Sequence, residues 1–212
     1  DIKLTSLAVT HRLSYDGADA MLEDDSAELQ GVLSELNDIS LALRAQRLEK
    51  GAALFNRPEL KIRVLDGEPS VKLMERNSPS RGLVGEFMIL ANCVAALYCV
   101  RNEVPIIYRT QDIAEGLPEL DPDNYDPIQF DKAIKCMKKS RLSLHPASHG
   151  GLGADFYTQL TSPIRRYTDL VMQRQLTSHL LGAELSYEAE ELMAIIASAE
   201  AVGNEVRDVQ RS

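Results

Sequence analysis

The stretch His149–Leu176, HGGLGADFYTQLTSPIRRYTDLVMQRQL, decides how this chain is interpreted. It begins with glycines, passes two aromatic residues and then places two adjacent arginines shortly after a proline. Pro163 suits the first position of a helix, because its missing N–H would have no partner there anyway. The apolar spacing that follows predicts a helix with the preceding Thr-Ser pair as its cap. Arg165 and Arg166 then fall in the first helical turn.

Arginines in a first turn oppose the positive end of the helix dipole, at a cost of about 0.3–1 kcal/mol each. A phosphate would remove this conflict, because backbone N–H groups, the hydroxyls of Thr161 and Ser162 and the guanidinium groups could converge on it. Gly151 and Gly153 would let the backbone approach the ligand, and Tyr157 offers a flat surface to a base. The alternative is that each arginine pairs with a carboxylate elsewhere in the fold.

The charge of the chain is unevenly distributed. The 212 residues carry a net charge of −9, which argues against a wholly basic nucleic-acid coat. Residues 131 to 174, which we call the basic zone, nevertheless hold eight Lys or Arg and three acidic residues. Such a zone in an acidic body is a footprint for a polyanion, and a solvated lysine-rich helix face is the alternative.

Composition also predicts the compartment. The three cysteines, Cys93, Cys99 and Cys136, form no CxxC pattern and are interpreted as reduced thiols of a cytoplasmic protein. No uninterrupted apolar run approaches about 18 residues, so no membrane partner is expected. No metal site is predicted within the chain, because the acidic cluster at 23–28 is typical of a solvated connection and the pair His145 and His149 falls in a loop.

Periodicity predicts about five or six helices and few strands. The expected helices include one capped by Ser14, one ending at Gly51 and one beginning at Pro127. Asp66-Gly67 lies between two β-rich runs and predicts a hairpin. The segment 83–100 is apolar on nearly all sides and predicts a buried helix. We therefore expect an α-rich α/β fold with several helices around a small β element.

The motifs of the opening stretch resemble, in order, the signature of the catalytic domain of the ribonuclease II/R family, the RNB domain. They are Gly-Leu-Gly, Tyr-Thr-Gln-Leu and Thr-Ser-Pro-Ile-Arg-Arg-Tyr. The segments RLSYDGADAML, GEFMILANCVAALY and NEVRDV resemble further parts of that domain. Two positions depart from it, since Gly85 replaces an acid and Gln173 stands where the family often has His. The resemblance covers essentially all 212 residues.

The resemblance implies processive 3′→5′ hydrolysis of single-stranded RNA to 5′-nucleoside monophosphates with Mg²⁺, by a two-metal mechanism. The family's metal-binding aspartates lie upstream of the region matched, and their pattern is absent from this sequence. Residues 1–212 thus resemble the C-terminal two-thirds of the catalytic domain, without its metal-binding part or the cold-shock and S1 OB-folds. A missing N-terminal segment or a second chain would complete the domain, and the fragment alone would cleave little.

Roles carried over by position are expectations of the resemblance. Arg165 would contact the scissile phosphate, and Glu205 would be the C-terminal acidic residue of the active site. Phe55 would stack on bases near the 3′ end. The other expected RNA- or phosphate-binding residues are Arg166, Tyr157, Thr161, Ser162, Gly151 and Gly153.

The sequence leaves two questions open. Glu86 and Asn92 either face the RNA channel or satisfy buried polar groups of the fold. The protein itself is either part of an active exoribonuclease or a non-catalytic RNA-binding or structural relative that has lost the metal site.

Overall fold

The computed structural model describes residues 2–54, 59–65, 68–74, 78–118 and 125–211. Within them the fold is helix-rich with two small two-stranded sheets, as the sequence predicted. The elements, in chain order, are α1 (Tyr15–Glu23), α2 (Gln30–Glu49), β1 (Glu59–Leu65), β2 (Glu68–Met74), α3 (Pro79–Arg101), β3 (Tyr108–Thr110), α4 (Pro127–Cys136), β4 (Arg141–Ser143), a 3₁₀ turn (Gly150–Leu152), α5 (Tyr167–Leu180) and α6 (Ala189–Arg211).

The chain divides into two units. The first unit comprises Asp1–Ala8, Met88–Ile113 and Lys138–Ser212, and the second comprises Val9–Phe87 and Ala114–Met137. The opening stretch lies wholly in the first unit, whereas the basic zone is shared between the two.

The core of the first unit is aliphatic and is built by the second half of α3, by β3 and by parts of α5 and α6. The buried apolar cluster consists of Ala96, Cys99, Val104, Ile106, Ile107, Tyr108, Val171, Met172 and Leu192.

A polar residue, Gln175 on α5, is also buried in this unit and binds three backbone groups. Its Nε2 donates to the carbonyls of Pro105 and Tyr187 at 2.9 Å, and its Oε1 accepts from the Tyr187 N–H at 3.0 Å.

Strand β3 connects this core to the opening stretch. It pairs antiparallel with β4, with Tyr108 opposite Ser143. On its other side Tyr108 bridges to Thr158, and the Arg109 N–H donates to the Tyr157 carbonyl at 2.9 Å. The backbone that precedes the two arginines is therefore held against β3.

The second unit contains several elements that local rules predicted. The Ser14 side chain caps α1 by accepting from the Gly17 N–H at 3.1 Å, as expected of a Ser N-cap. Strands β1 and β2 pair antiparallel up to Leu65 opposite Glu68, which confirms the hairpin, although Asp66-Gly67 lies outside the described residues. Pro127 begins α4, and the Asp126 side chain caps this helix by accepting from the N–H groups of Ile128 and Gln129.

Two expectations about helices were wrong. Helix α5 begins at Tyr167 rather than at Pro163, because residues 163–165 form a turn. Helix α3 is buried on one face only, since an apolar stripe is 36–45% exposed. That stripe consists of Leu90, Val94 and Leu97. An apolar composition shows that a face is able to be buried, whereas burial requires a partner to cover it.

By length and composition alone, α3 also qualifies as a helix able to cross a membrane, with a mean hydropathy of 1.9. Counting consecutive apolar residues did not reveal this, because Glu86 and Asn92 interrupt the run. The core helix of a water-soluble protein meets the same criterion. The absence of a membrane partner therefore stays a prediction.

Candidate functional site

The residues Thr161–Arg166, which we call the arginine turn, connect the β3-bound segment to α5. The backbone N–H groups of Arg165 and Arg166 both donate to the Ser162 carbonyl, at 3.2 and 3.0 Å. The Arg165 guanidinium is exposed and its NH2 group donates to Ser162 Oγ at 3.2 Å. Ile164 beside it is fully exposed. The turn therefore presents Arg165 to solvent, where it can reach an anion.

Arg166 has a carboxylate partner three residues along the chain. Its NH2 group lies 2.7 Å from Asp169 Oδ2, and the same oxygen accepts from the Ser162 N–H at 2.8 Å. Asp169 is completely buried, whereas the Arg166 side chain is 28% exposed. Since Asp169 lies in the first turn of α5, it supplies the negative charge that a helix start favours. For Arg166, carboxylate pairing resolves the electrostatic conflict that the sequence posed.

Unused hydrogen-bonding groups concentrate at this turn. Among the described residues, four buried side-chain atoms have no hydrogen-bond partner, and three of them are Thr161 Oγ1, Arg166 Nε and Asp169 Oδ1. Buried polar atoms are nearly always paired in folded proteins, because an unpaired one costs about 1–3 kcal/mol. An unpaired buried polar atom in a folded protein calls for an explanation, such as a catalytic role or a bound ion that supplies the partner.

Two helices hold the segment that precedes the turn. From α3, Asn92 donates through Nδ2 to the Tyr157 hydroxyl at 3.0 Å and accepts at Oδ1 from the Leu160 N–H at 3.1 Å. From α5, Gln173 Nε2 donates to the Leu160 carbonyl at 2.8 Å. Asn92 is 1% exposed, so it satisfies buried polar groups. Tyr157 is 7% exposed and belongs to the core of this unit.

The fold itself explains why glycines occur in the opening stretch. A Cβ on Gly150 would lie 2.7 Å from the Cα of Ile113, so only glycine fits against that backbone. The Gly151 N–H donates to Gln111 Oε1 at 3.1 Å. Gly153 has a φ of 61° and closes the 3₁₀ turn onto the Gly150 carbonyl. Ligand contacts by Gly151 and Gly153 stay a prediction.

His149 is a buried neutral base at neutral pH. Burial and the positive charge of Arg109 lower its pKa to about 4. Its ring packs edge-on against Tyr157 with centroids 5.5 Å apart, and its Nδ1 is the fourth unpartnered buried atom among the described residues. Such a histidine brings no positive charge to a phosphate at pH 7.

The remaining candidates are dispersed. Glu86 is paired in the second unit, where Arg47 Nε and NH2 donate to its two carboxylate oxygens at 2.8 and 2.5 Å. Glu86 thus satisfies a buried polar group, as the second of the two sequence alternatives held. Glu205 is exposed on α6, and Phe55 lies outside the described residues. No structural observation tests the roles expected of Glu205 and Phe55.

No role for Asp169 followed from the sequence, in which Gln173 was only a departure from the family pattern. A carboxylate three residues after an arginine, at the start of an apolar helix, is a local signal that could have identified Asp169. Gln173 needs the fold, because its partner Leu160 lies 13 residues away in sequence.

The described residues contain no group of three or more His, Cys, Asp or Glu side chains placed to hold a metal ion. The Mg²⁺ implied by the resemblance therefore finds no ligand set in the part of the chain that the structure describes.

Comparison with known proteins adds two curated relatives. The chain is 35% identical over 211 residues to the uncharacterized ribonuclease sll1290 of Synechocystis, covering 95% of this chain and 30% of that protein. It is 32% identical over 221 residues to the chloroplastic/mitochondrial ribonuclease II of Arabidopsis thaliana, covering 96% of this chain and 26% of that protein. The chain thus spans less than a third of the length of these relatives.

Solved structures share the fold. The Dss1 exoribonuclease of Candida glabrata superposes with a TM-score of 0.82 at 24% identity, over 95% of this chain and 28% of that one. Mycoplasma genitalium RNase R in complex with ribose-methylated single-stranded RNA gives 0.69 at 22% identity, over 87% and 35%. Yeast Ssd1, a pseudonuclease, gives 0.61 at 16% identity, over 89% and 28%.

The model of the RNB domain matches residues 1–129 and 117–182, which together make up most of the chain. The arginine turn and the backbone that supports it lie inside the matched region. The chain belongs to the RNB domain family.

Proposed function

We propose that this chain forms the phosphate-gripping wall of the RNA channel in a processive 3′→5′ exoribonuclease. The substrate would be single-stranded RNA and the products 5′-nucleoside monophosphates. The observation that carries the proposal is the exposed Arg165 on a turn whose backbone is held by a buried carboxylate. Membership of the RNB family and the ribonuclease names of the relatives support it.

Arg165 would stabilise charge at the scissile phosphate. Its guanidinium is a fixed positive charge with several donors, and charge-assisted hydrogen bonds to phosphate are among the strongest in proteins. A donor already held in place, as Arg165 is by Ser162, costs little reorganisation when charge develops in the transition state. Arg166, although paired with Asp169, and the Thr161 and Ser162 hydroxyls would bind other oxygens of the same phosphate.

The other proposed contacts are close to this turn in sequence or come from distant parts of the chain. Glu205 would contribute an acidic group to the active site, and Phe55 would stack on a base. Tyr157 would act from the core by supporting the turn through its hydroxyl. Gly151 and Gly153 would shape the backbone next to the RNA.

We further propose that the chain is the C-terminal two-thirds of the catalytic domain of a cytoplasmic protein. A preceding segment or a second chain would complete that domain. The described residues offer no ligand set for Mg²⁺, whose ligands we expect upstream. This chain would therefore bind and orient the RNA, and the metal would supply activation of the attacking water.

A second candidate function is non-catalytic RNA binding. The likeness to Ssd1, described as a pseudonuclease, favours it, because an RNB fold is then compatible with loss of cleavage. In that case the arginine turn would still bind RNA phosphates, and affinity would still fall with added salt.

A degradation assay with the complete natural polypeptide separates the two functions. Single-stranded RNA labelled at its 5′ end is incubated with the protein and Mg²⁺, with the same RNA blocked by a 3′-phosphate and a DNA of equal sequence as controls. Progressive shortening from the 3′ end with release of 5′-monophosphates supports the exoribonuclease. Salt-dependent binding of intact RNA supports the non-catalytic relative, and the absence of both contradicts an RNA function.

A further inference from the structure

Asp169 is a completely buried carboxylate that the proposed activity does not use directly. We propose that Asp169 is a positioning residue of the RNA site, which fixes the backbone of the arginine turn and the orientation of Arg166. Arg165 is thereby presented to the phosphate in one geometry. The inference rests on the proposed function, because positioning is defined with respect to the phosphate that Arg165 would contact.

Contacts connect Asp169 to Arg165 through one residue, Ser162. Asp169 Oδ2 accepts from the Ser162 N–H at 2.8 Å. The Ser162 carbonyl accepts from the N–H groups of both arginines, and Ser162 Oγ lies 3.2 Å from the Arg165 NH2 group. Ser162 therefore holds Arg165 by backbone and side chain, while Asp169 holds Ser162. Displacing Ser162 would displace the guanidinium on which phosphate binding depends.

Charge distinguishes the two adjacent arginines. Asp169 lies 2.7 Å from the Arg166 NH2 group, in an ion pair whose carboxylate is shielded from water. Arg165 is exposed and its hydrogen bond is to a neutral hydroxyl. A phosphate approaching the turn is attracted chiefly by Arg165, because Asp169 offsets the charge of Arg166. Removing the carboxylate charge would release Arg166 to contact a further phosphate.

Unused hydrogen-bonding capacity at Asp169 agrees with a role beyond packing. Its Oδ1 and the Arg166 Nε are both buried and without a partner among the described residues. A carboxylate selected only for stability would be expected to use both oxygens, since each unpaired buried atom is costly. Here one oxygen binds both the backbone and the guanidinium, which couples the two parts of the turn.

The decisive variant is Asp169→Asn in the complete natural polypeptide, because it keeps the volume and an oxygen for Ser162 while removing the charge. We expect kcat on single-stranded RNA to fall about 10- to 100-fold, as small misplacements of a catalytic group do, with KM changed less than about threefold. The slope of log affinity against log salt should steepen by up to about 0.7, the value for one more phosphate on a single strand. A purely destabilising change would not steepen it.

Asp112→Asn is the matched control, since it removes the same charge beside an arginine, Arg141, in an exposed pair. We expect its kcat to stay within about twofold of wild type, because exposed ion pairs contribute little. An unchanged kcat in Asp169→Asn, or equal losses of kcat and affinity at an unchanged salt slope, would overturn the proposal. If Arg165→Ala loses turnover and Asp169→Asn does not, the proposed function stands and the positioning role of Asp169 is refuted.

A measurement that needs no activity tests positioning directly. Hydrogen exchange at the Ser162 amide should be slow in wild type, faster in Asp169→Asn, whose neutral oxygen is a weaker acceptor than a carboxylate, and fastest in Asp169→Ala. A Ser162 amide that stays protected in Asp169→Ala would show that Asp169 does not fix the turn. If Asp169→Ala does not fold, Asp169→Ser supplies the same comparison with a shorter side chain. If the wild-type protein does not hydrolyse RNA, the proposed exoribonuclease function is contradicted. The exchange result still tests whether Asp169 fixes the backbone of the turn.

Discussion

Asn92 is the best place to test the support of the arginine turn, because one buried side chain on α3 holds two parts of it. Replacing Asn92 by Ala removes the hydrogen bond to the Tyr157 hydroxyl, at 3.0 Å, and the one from the Leu160 N–H, at 3.1 Å. Both contacts are long-range in sequence, so their loss loosens the segment that leads into the turn.

The expected cost follows from these two bonds. Leaving the Leu160 N–H without an acceptor costs about 1–3 kcal/mol, and losing the neutral bond to Tyr157 costs about 0.5–1.5 kcal/mol. The higher helix propensity of Ala returns about 0.5 kcal/mol. We therefore expect the free energy of unfolding to fall by about 1–4 kcal/mol.

Urea unfolding followed by far-UV circular dichroism measures this change. With a slope m of about 2 kcal/mol/M, the midpoint should fall by about 0.5–2 M while m stays constant. Asn102→Ala is the matched control, because the exposed side chain of Asn102 makes one hydrogen bond, to the Tyr98 carbonyl at 2.8 Å. We expect it to cost less than about 1 kcal/mol.

A double-mutant cycle with Tyr157→Phe separates the two bonds of Asn92. The coupling free energy should be about 0.5–1.5 kcal/mol, with the remainder assigned to Leu160. Equal destabilisation by Asn92→Ala and Asn102→Ala, or a coupling of zero, would refute this account of how the turn is supported.

Two further predictions concern the segment before the arginine turn. Because burial and the charge of Arg109 hold the pKa of His149 near 4, against 6.5 in the unfolded chain, the unfolded state binds the extra proton between these values. Stability should therefore fall by about 2 kcal/mol from pH 7 to pH 5, and His149→Gln should remove this part of the pH dependence. An unchanged pH profile in that variant would contradict the assignment. Gly150→Ala should lower the melting temperature because its Cβ would lie 2.7 Å from a backbone atom, whereas Gly203→Ala, with open space in α6, should raise it slightly. Equal shifts in the two glycine variants would contradict the close approach at Gly150.

Local rules in the sequence predicted several elements correctly. The cap at Ser14, the hairpin formed by β1 and β2 and the helix start at Pro127 all depend on neighbouring residues. The helix-rich fold class and the RNB family followed from periodicity and from the motifs of the opening stretch. These features need no knowledge of distant contacts.

The start of α5 shows where such rules fail. Pro163 and the two hydroxyl residues before it satisfy the local rule for a helix start, yet the helix begins at Tyr167. The Ser162 N–H goes to Asp169 and the Ser162 carbonyl to both arginines, which stabilises a turn instead. Side-chain competition for backbone groups of this kind is not encoded in residue spacing.

The glycines of the opening stretch show a second limit. From the sequence, these glycines were predicted to let the backbone approach a ligand. In the structure Gly150 packs against the backbone of Ile113, and the Gly151 N–H donates to the side chain of Gln111. These partners lie about 40 residues earlier in the chain, so no local pattern identifies them. Arg165 differs, because its side chain is exposed and needs no partner within the fold to explain its place; its contact with the scissile phosphate stays a prediction.

The most direct test of the central claim is the comparison of turnover and RNA affinity in Arg165→Ala of the complete natural polypeptide. If Arg165 stabilises charge developing at the scissile phosphate, kcat should fall about 100- to 1,000-fold while the Kd for single-stranded RNA rises less than about tenfold. Arg141→Ala, another exposed arginine of the basic zone, should leave kcat nearly unchanged. Equal losses of turnover and affinity in Arg165→Ala would contradict the claim, since Arg165 would then hold the RNA without acting in the transition state.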